Sequence, residues 1–294
     1  MLVALLDIVI PVFAVVACGA LYGRWRPGGD LHFVNQANIE LFTPALVFSA
    51  LVKYPLALGH YLPLLLAGCV LILLPGLLLR VLPLPGLSWQ ARVVPAMFRN
   101  TGNLGIPLML LAFGEQQLGA IVMLFVLSNL LHFSVGLAIL SSGQSRWVWL
   151  KNPMPWAALA GLLVANLHIP LPGFVLTTAS MLGQLSVPIM LFALGIRLLE
   201  GGIEDIRLAL LANLAYLLVG ALSLMLVWWL LPLQPEWLPL LLVSVALPPA
   251  VLNYVLCEKY QCQPKEVASI VLGGNALSLL VIPLAVWLAL HLPR

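Results

Sequence analysis

Residues 100–107, Asn-Thr-Gly-Asn-Leu-Gly-Ile-Pro, interrupt a long apolar stretch about one third of the way along the chain. Residues 246–253, Ala-Leu-Pro-Pro-Ala-Val-Leu-Asn, interrupt a second apolar stretch near its end. Adjacent glycine, asparagine and proline interrupt the hydrogen bonding of a helix. The backbone N–H and C=O groups that lose their partners find no others in hydrocarbon. Such breaks persist where they line a cavity, and a matched pair in two halves indicates the binding site of a membrane transporter.

The composition places the chain in a lipid bilayer. Of its 294 residues, 63% are hydrophobic and only 8% are charged, and the mean hydropathy is +1.10. A soluble domain carries about 25% charged residues, so this chain has too few polar side chains to cover a globule in water. A spanning helix needs about 20 mostly apolar residues, and the length therefore allows roughly ten spans. The sequence contains no basic run, and we expect no nucleic-acid partner.

We predict an all-α polytopic membrane protein with ten transmembrane helices, arranged as two inverted five-helix repeats with crossed, broken helices 4 and 9. The first repeat takes residues 1–140 and the second residues 153–294, with a cytoplasmic linker at 141–152. No Lys or Arg precedes the first apolar run, which contains Asp7, so it is predicted to be a helix and not a signal peptide. The predicted spans are residues 2–22, 32–53, 59–82, 90–113, 117–140, 153–170, 174–199, 206–231, 237–260 and 265–291.

The positive charges predict the orientation. Of the 13 Lys and Arg residues, most fall on one side of this map, which the positive-inside rule assigns to the cytoplasm. Both termini then lie on the non-cytoplasmic side of the plasma membrane, which we expect to be a bacterial inner membrane. Since each half has five spans, the second half enters the bilayer from the opposite side. Pro11 and Pro44 match Pro155 and Pro188 at one spacing, which indicates an inverted repeat, with chance alignment of leucine-rich helices as the alternative.

The first break carries the main candidates for substrate binding. Asn100 and Asn103 offer uncharged donors and acceptors near mid-membrane. Gly102 and Gly105 permit an unwound backbone. Pro107 suits the start of a second half-helix, whose N-terminus favours an anion.

The second break mirrors the first from the other side of the membrane. Pro248 and Pro249 interrupt the helix, and Asn253 follows about one turn later. If the two broken helices cross, four half-helix ends converge on one point, which we predict to be the binding site. A proline kink packed against neighbouring helices is the structural alternative for each break.

Other polar residues within spans are candidates for the same site. Asn129 and Asn275 occupy nearly corresponding positions in the fifth and tenth spans, and either line the site or bond neighbouring helices. Arg99 directly precedes the first break and either pairs with a substrate carboxylate or extends to the cytoplasmic interface. His132 either carries protons or packs as a hydrogen-bonded residue.

The sequence contains no nucleotide-binding loop, metal-ligand cluster or catalytic triad. We therefore expect no enzyme activity, no catalytic residues, no metal and no cofactor. Without a sign of ATP drive, transport would be downhill or coupled to a proton or sodium gradient. The four cysteines show no metal-ligand spacing and are interpreted as structural.

At these residues the chain resembles the auxin efflux carrier family, which includes malonate-permease-like bacterial transporters. The motifs are residues 42–48 (Phe-Thr-Pro-Ala-Leu-Val-Phe), 100–107, 187–195 (Val-Pro-Ile-Met-Leu-Phe-Ala-Leu-Gly) and 247–249 (Leu-Pro-Pro), followed by Lys259-Tyr260. The resemblance implies that helices 1, 2, 6 and 7 form a scaffold and a homodimer interface. Helices 3–5 and 8–10 would form a mobile domain that carries organic anions by an elevator-like motion. The polar crossover positions of the family map onto Asn100, Asn103 and Asn253.

Plant carriers of the family place a proline where this chain has Asn253, and often have a long central hydrophilic loop, so the resemblance indicates a bacterial relative. We expect a secondary transporter or facilitator of small organic anions, carboxylates in particular. One alternative is a sodium-coupled carrier similar to bile-acid symporters. A ligand-binding membrane receptor or sensor is the alternative from another class, and an intramembrane enzyme would need paired acid–base residues that we do not find.

Overall fold

The computed structural model describes residues 2–26, 32–53, 58–141, 153–200 and 204–292. Every regular element within those ranges is helical, and the isolated β-bridge there joins Arg99 to Pro249. The described part of the chain is thus all-helical, as the composition predicts. The predicted linker at 141–152 lies outside the described residues except for Ser141.

We label the helices α1 to α10 in chain order. Six are single, uninterrupted helices, of which α6 is the shortest: α1 Leu2–Trp25, α3 Leu58–Val81, α6 Pro153–Asn166, α7 Gly173–Glu200, α8 Ile206–Leu230 and α10 Pro264–His291. Two contain a π-helical turn: α2 has His32–Ala37, π Asn38–Phe42 and Thr43–Lys53, and α5 has Leu118–Leu131, π His132–Gly136 and Leu137–Leu140.

Two helices are broken. The first consists of α4a, Trp89–Met97, and α4b, which joins the π-helical Thr101–Gly105 to Ile106–Phe113. The second consists of α9a, Trp237–Ala246, and α9b, Val251–Lys259. The second break, residues 247–250, falls within the marked stretch 246–253, whereas the first, residues 98–100, overlaps the marked stretch 100–107 only at Asn100.

Local sequence explains several helix ends. The side chain of Ser88 accepts the N–H of Ala91 at the start of α4a, and Asp205 accepts the N–H of Leu208 at the start of α8. Such caps bond N–H groups that have no partner inside the helix. Gly114 ends α4b with φ of 83°, a conformation that glycine adopts without steric cost.

In the described part of the chain, six helices are long and apolar enough to cross a membrane: α1, α3, α5, α7, α8 and α10. Large apolar side chains lie exposed along them, as with Leu280 on α10 and Trp229 on α8. Such surfaces suit contact with lipid, and the protein is an integral membrane protein. The other four helices are shorter, interrupted or more polar, so the ten spans and the inverted repeat stay predictions.

Helix packing separates into two groups. α1 packs mainly on α7, while α2 packs on α6 and α7. α3, α4, α5, α8, α9 and α10 pack mainly on one another. The first group contains the helices of the predicted scaffold and the second those of the predicted mobile domain; movement of one relative to the other stays a prediction.

The apolar core is divided into two layers. In each of α4, α5, α8, α9 and α10, one stretch belongs to the first apolar cluster and another stretch to the second. The buried polar residues between those stretches are Asn100 on α4, Ser128 and His132 on α5, Ser223 on α8, Asn253 on α9, and Asn275 and Ser278 on α10. The helix breaks therefore lie in a polar layer between two apolar ones.

Close packing of α1 on α7 predicts a specific defect in stability. A Cβ at Gly195 would overlap the carbonyl oxygen of Val16, whereas a Cβ at Gly173 would meet nothing within 4 Å. We expect Gly195→Ala to reduce the free energy of unfolding by about 1–3 kcal/mol, as overpacking does. Thermal unfolding of the purified protein in detergent measures it, with Gly173→Ala as the control. Equal melting temperatures for the two variants would contradict the packing described here.

Candidate functional site

The two helix breaks are joined to each other through the backbone. The extended residues between α4a and α4b run antiparallel to those between α9a and α9b. The N–H of Asn100 donates to the carbonyl of Pro248 at 2.7 Å, and the N–H of Ala250 donates to the carbonyl of Phe98 at 3.0 Å. Each break thus supplies hydrogen bonds that the other lacks.

Proline chemistry accounts for the second break. Pro248 and Pro249 have no N–H, and a residue before proline is pushed into extended conformations. Leu247 has φ −61° and ψ 144°, so α9a ends there. The helix begins again at Val251. Ala250, which precedes it, donates its N–H to the carbonyl of Phe98 in the other break.

The first break differs in detail from the sequence-based prediction. The unwound residues are 98–100, upstream of the glycines, and the new helix starts at Thr101. Gly102 and Gly105 lie inside its π-helical first turn, and Pro107 follows that turn instead of starting the helix. A Cβ at Gly102 would meet Phe125 at 2.8 Å, so the glycine permits close packing and not unwinding.

All seven carbonyl oxygens of the two extended segments, 98–100 and 247–250, accept hydrogen bonds from the protein, at 2.7–3.3 Å. The donors are Ala250 N and Asn253 Nδ2 for Phe98 O, Thr101 N for Arg99 O, Gly105 N for Asn100 O, Arg99 Nη1 for Leu247 O, Asn100 N for Pro248 O, Asn275 Nδ2 for Pro249 O and Asn253 N for Ala250 O. The carbonyl groups of these segments are therefore occupied.

A cavity of about 230 Å³ lies against the two breaks. One wall comes from α2, α6 and α7, the other from α4, α5 and α9, so the cavity lies between the two packing groups. Its lining residues are Asn38, Ile39, Thr43, Arg99, Asn100, Thr101, Gly102, Asn103, Phe125, Ser128, Asn129, His132, Phe133, Met154, Met190, Ala193, Ala250, Val251, Leu252 and Val255. All three π-helical turns of the described chain contribute to it, and such turns are frequent at functional sites.

Two helix N-termini open into this cavity. Thr101 to Asn103 begin α4b, and Val251 and Leu252 begin α9b. The first N–H groups of a helix have no partner within it, and the helix dipole adds partial positive charge there. Thr101 N donates to Arg99 O, so the available N–H groups at the cavity are those of Gly102, Asn103, Val251 and Leu252.

Arg99 carries a formal positive charge next to the breaks. Its Nη2 donates to the carbonyl of Tyr216 at 2.7 Å, its Nη1 donates to that of Leu247 at 3.3 Å, and the guanidinium lies 5.8 Å from the centre of the Tyr216 ring. Of the described residues that line the cavity, none is a carboxylate. The guanidinium contacts the carbonyls of Tyr216 and Leu247 and lies near Gly220, none of which lines the cavity, so its charge lies on the α8 side of the breaks.

The predicted site residues fall into two sets. Arg99, Asn100, Gly102, Asn103 and Asn129 line the cavity. The rest lie behind it, within the joined breaks or the adjoining helices: Gly105, Pro107, Pro248, Pro249, Asn253 and Asn275.

Asn253 and Asn275 hold the breaks together from behind. Asn253 Nδ2 donates to Phe98 O at 2.8 Å. Asn275 accepts from Asn100 Nδ2 and donates to Pro249 O, both at 3.3 Å. A role in fixing the backbone follows from these bonds, while direct contact of either side chain with a ligand stays untested.

Sequence reasoning did not single out Asn38, Thr43 or Ser128, which line the cavity. Asn38 is buried, and its Oδ1 has no hydrogen-bond partner in the described structure. Thr43 Oγ1 lies 2.9 Å from Ser186 Oγ and joins α2 to α7. Polar residues inside the otherwise apolar second span could have been read as candidates for the site, but only the fold shows which of them face the cavity.

Comparison with known proteins identifies the family. A family model described as "Membrane transport protein" matches residues 140–287, half of the chain. The chain belongs to this family. It is the auxin efflux carrier family, which the sequence motifs indicate.

A relative supports the same assignment. A protein of Rhizobium meliloti (strain 1021) named "Putative malonate transporter" is 24% identical over 299 residues, with 92% of this chain and 91% of that protein aligned. Membership of a family of membrane transporters gives this chain a role in membrane transport.

Removal of the Asn275 side-chain amide tests whether it stabilises the two joined breaks. Asn275→Ala leaves Pro249 O and Asn100 Nδ2 without these partners, and buried polar groups without partners cost about 1–3 kcal/mol. We expect a lower melting temperature in detergent. The matched control is Asn166→Ala, which removes an exposed asparagine bonded to Leu162 O of its own helix. If Asn275→Ala melts with the control, the amide does not stabilise the joined breaks.

Proposed function

We propose that the protein is a secondary transporter or facilitator that carries small organic anions, carboxylates in particular, across a bacterial inner membrane. The observation that carries the proposal is the chemistry of the cavity at the joined helix breaks. The backbone carbonyl groups of the breaks already accept hydrogen bonds, and two helix N-termini face the cavity. Among the described lining residues, Arg99 carries a permanent positive charge. An anion is the solute that such a site favours.

Hydrogen-bond donors for a carboxylate lie on the same wall. The side-chain amide of Asn103 makes no hydrogen bond within the described structure, and Thr101 and Ser128 add hydroxyl groups nearby. Asn129 donates one N–H to Phe125 O of its own helix at 2.9 Å, which leaves its second N–H available. A volume of about 230 Å³ suits a small solute. The name of the Rhizobium relative makes dicarboxylates of the malonate type the first class to test.

Sodium coupling receives less support from the same geometry. Na⁺ binds oxygen ligands, as hard cations do, but the carbonyl groups of both extended segments already accept hydrogen bonds. The guanidinium of Arg99 donates to Leu247 O, just beyond the C-terminal end of α9a, where the helix dipole favours a cation. The guanidinium of Arg99 thus occupies the position to which a sodium ion would be attracted.

The position of the cavity supports alternating access. It separates α2, α6 and α7 from the helices that carry the breaks, so displacement of one group along the other would move the site. We propose an elevator-like motion of α3–α5 and α8–α10 against a scaffold of α1, α2, α6 and α7, which would also form a homodimer interface. Inverted repeats give two related end states for such a motion.

The conformation described here corresponds to a cytoplasm-facing state under the predicted orientation. Asn38 and Met154 lie near the ends of α2 and α6 that the positive-inside rule places in the cytoplasm, and Val255 lies on α9b, which leads to Lys259. The first apolar cluster closes the opposite side with α4b and α9a.

Substitution of a cavity asparagine tests the proposed solute class. We expect Asn103→Ala to weaken malonate binding and initial uptake by about tenfold, because a hydrogen bond to a charged group contributes about 1.5–3 kcal/mol. Uptake of radiolabelled malonate into proteoliposomes measures this, with Asn166→Ala as a control that lies outside the cavity. If both variants transport like the unmodified protein, the site is misassigned. If the unmodified protein moves no carboxylate, the proposed solute class is wrong.

Cysteine labelling tests the orientation of the cavity. In a background with all four native cysteines replaced by alanine, we expect Val255→Cys to react with a membrane-impermeant maleimide from the cytoplasmic side and to be protected by substrate. Met225→Cys, exposed on α8 beside other apolar side chains, is the lipid-facing control and should react from neither side. Labelling of Val255→Cys only from outside would reverse the proposed orientation.

A further inference from the structure

His132 is a buried titratable residue in the cavity wall to which the proposed function assigns no role. It is the first residue of the π-helical turn in α5 and is 4% exposed. Its ring stacks on Phe98 with a centroid distance of 4.1 Å and an angle of 6° between the planes. Its Nε2 is buried and has no hydrogen-bond partner in the described structure. A buried polar atom left without a partner is uncommon and calls for an explanation.

A second buried polar atom without a partner lies close by, on the other side of Phe98. Asn253 Oδ1 has no hydrogen-bond partner in the described structure, and His132 and Asn253 both contact Phe98, the first through its ring and the second through its carbonyl. The Nδ2 of Asn253 donates to Phe98 O, the carbonyl that also accepts Ala250 N across the two breaks. An imidazole protonated on both nitrogens always presents N–H at Nε2, whereas the neutral ring does so in only one tautomer. The two unpartnered atoms thus belong to residues that flank Phe98, whose carbonyl joins the breaks.

The charged groups around His132 determine when its imidazole can bind a second proton. The guanidinium of Arg99, bonded to Tyr216 O and Leu247 O beside the same breaks, disfavours an imidazolium. On the neighbouring helices, Glu40 of α2 and Glu258 and Lys259 of α9b are exposed, and Arg92 of α4a is bonded to the carbonyls of Leu79 and Arg80. No described carboxylate in the cavity wall stabilises a second positive charge, so an anion within the cavity must do so.

We propose that His132 binds one proton together with one dicarboxylate, and that the two are carried across the membrane as a pair. The inference rests on the proposed function. The proton comes from water on the side to which the cavity opens and binds to the imidazole as the dianion enters. Arg99 and the imidazolium then match the two carboxylate charges. On the other side, the anion leaves and the imidazolium returns its proton to water. Since coupling is reciprocal, each ligand strengthens binding of the other.

Proton counting on the unmodified protein tests the coupling without any variant. Isothermal titration with malonate near neutral pH, in two buffers of different ionisation enthalpy, gives the number of protons bound per malonate. We expect about one, and an affinity that rises by up to about tenfold for each unit fall in pH. Malonate binding without proton uptake would overturn the inference and leave the proposed function standing. Failure to bind any carboxylate would overturn the proposed function and the inference together.

Proton flux in proteoliposomes assigns the proton to His132. With a pH-sensitive dye inside the vesicles, the unmodified protein and the control His168→Gln should show malonate-dependent proton movement and uptake stimulated severalfold by a pH gradient. His168 is exposed in the loop after α6, outside the cavity. We expect His132→Gln to lose both effects and to bind malonate more weakly, without the proton uptake seen in the unmodified protein. Proton-coupled uptake by a folded His132→Gln or His132→Asn variant would overturn the assignment.

Discussion

The structure depends on one constraint: a backbone that leaves helical geometry inside a bilayer must find its hydrogen bonds within the protein. Two breaks meet this constraint together. Asn100 N bonds Pro248 O, and Ala250 N bonds Phe98 O, so each extended segment provides partners for the other across a separation of about half the chain. Asn253 and Asn275 complete the set from behind. Neither α4 nor α9 could be broken alone without leaving carbonyl groups exposed to hydrocarbon, and the two breaks therefore form one structural unit.

The electrostatic character of the cavity follows from that unit. Pairing the breaks occupies their carbonyl oxygens, while the N–H groups that begin α4b and α9b still point at the cavity. Arg99 belongs to the same extended segment, and its guanidinium bonds two more carbonyl oxygens while keeping its charge. The buried polar residues of α5, α8 and α10 lie at the same level, between two apolar clusters. The anion selectivity that we propose would thus arise from the way the breaks are stabilised, without a cluster of basic residues in the described cavity wall.

The sequence predicts the helices and the place of the breaks well, because proline and glycine act locally on the backbone. Pro248 and Pro249 end α9a for the reason that the sequence suggests. The register of the first break was wrong by a few residues, since the unwinding of 98–100 is imposed by pairing with 248–250 and not by Gly102 or Gly105. The orientation of polar side chains depends on the same distant contacts. Asn103 faces the cavity while Asn253 lies behind it, and the π-helical turn that brings Asn38 to the wall has no simple sequence signature.

The charges of the cavity also bear on why an empty carrier would face the cytoplasm. With His132 neutral and no substrate bound, the wall carries the single positive charge of Arg99; with a dianion and one proton bound, the proposed charges sum to zero. Moving one elementary charge through 100 mV changes the free energy by about 2.3 kcal/mol. A membrane potential that is negative inside therefore acts mainly on the empty step and draws Arg99 towards the cytoplasm, whereas the loaded step is nearly indifferent to it. For the carrier that we propose, the potential would therefore favour the empty, cytoplasm-facing state. Because the empty step alone carries net charge, the potential would support net outward transport over the whole cycle.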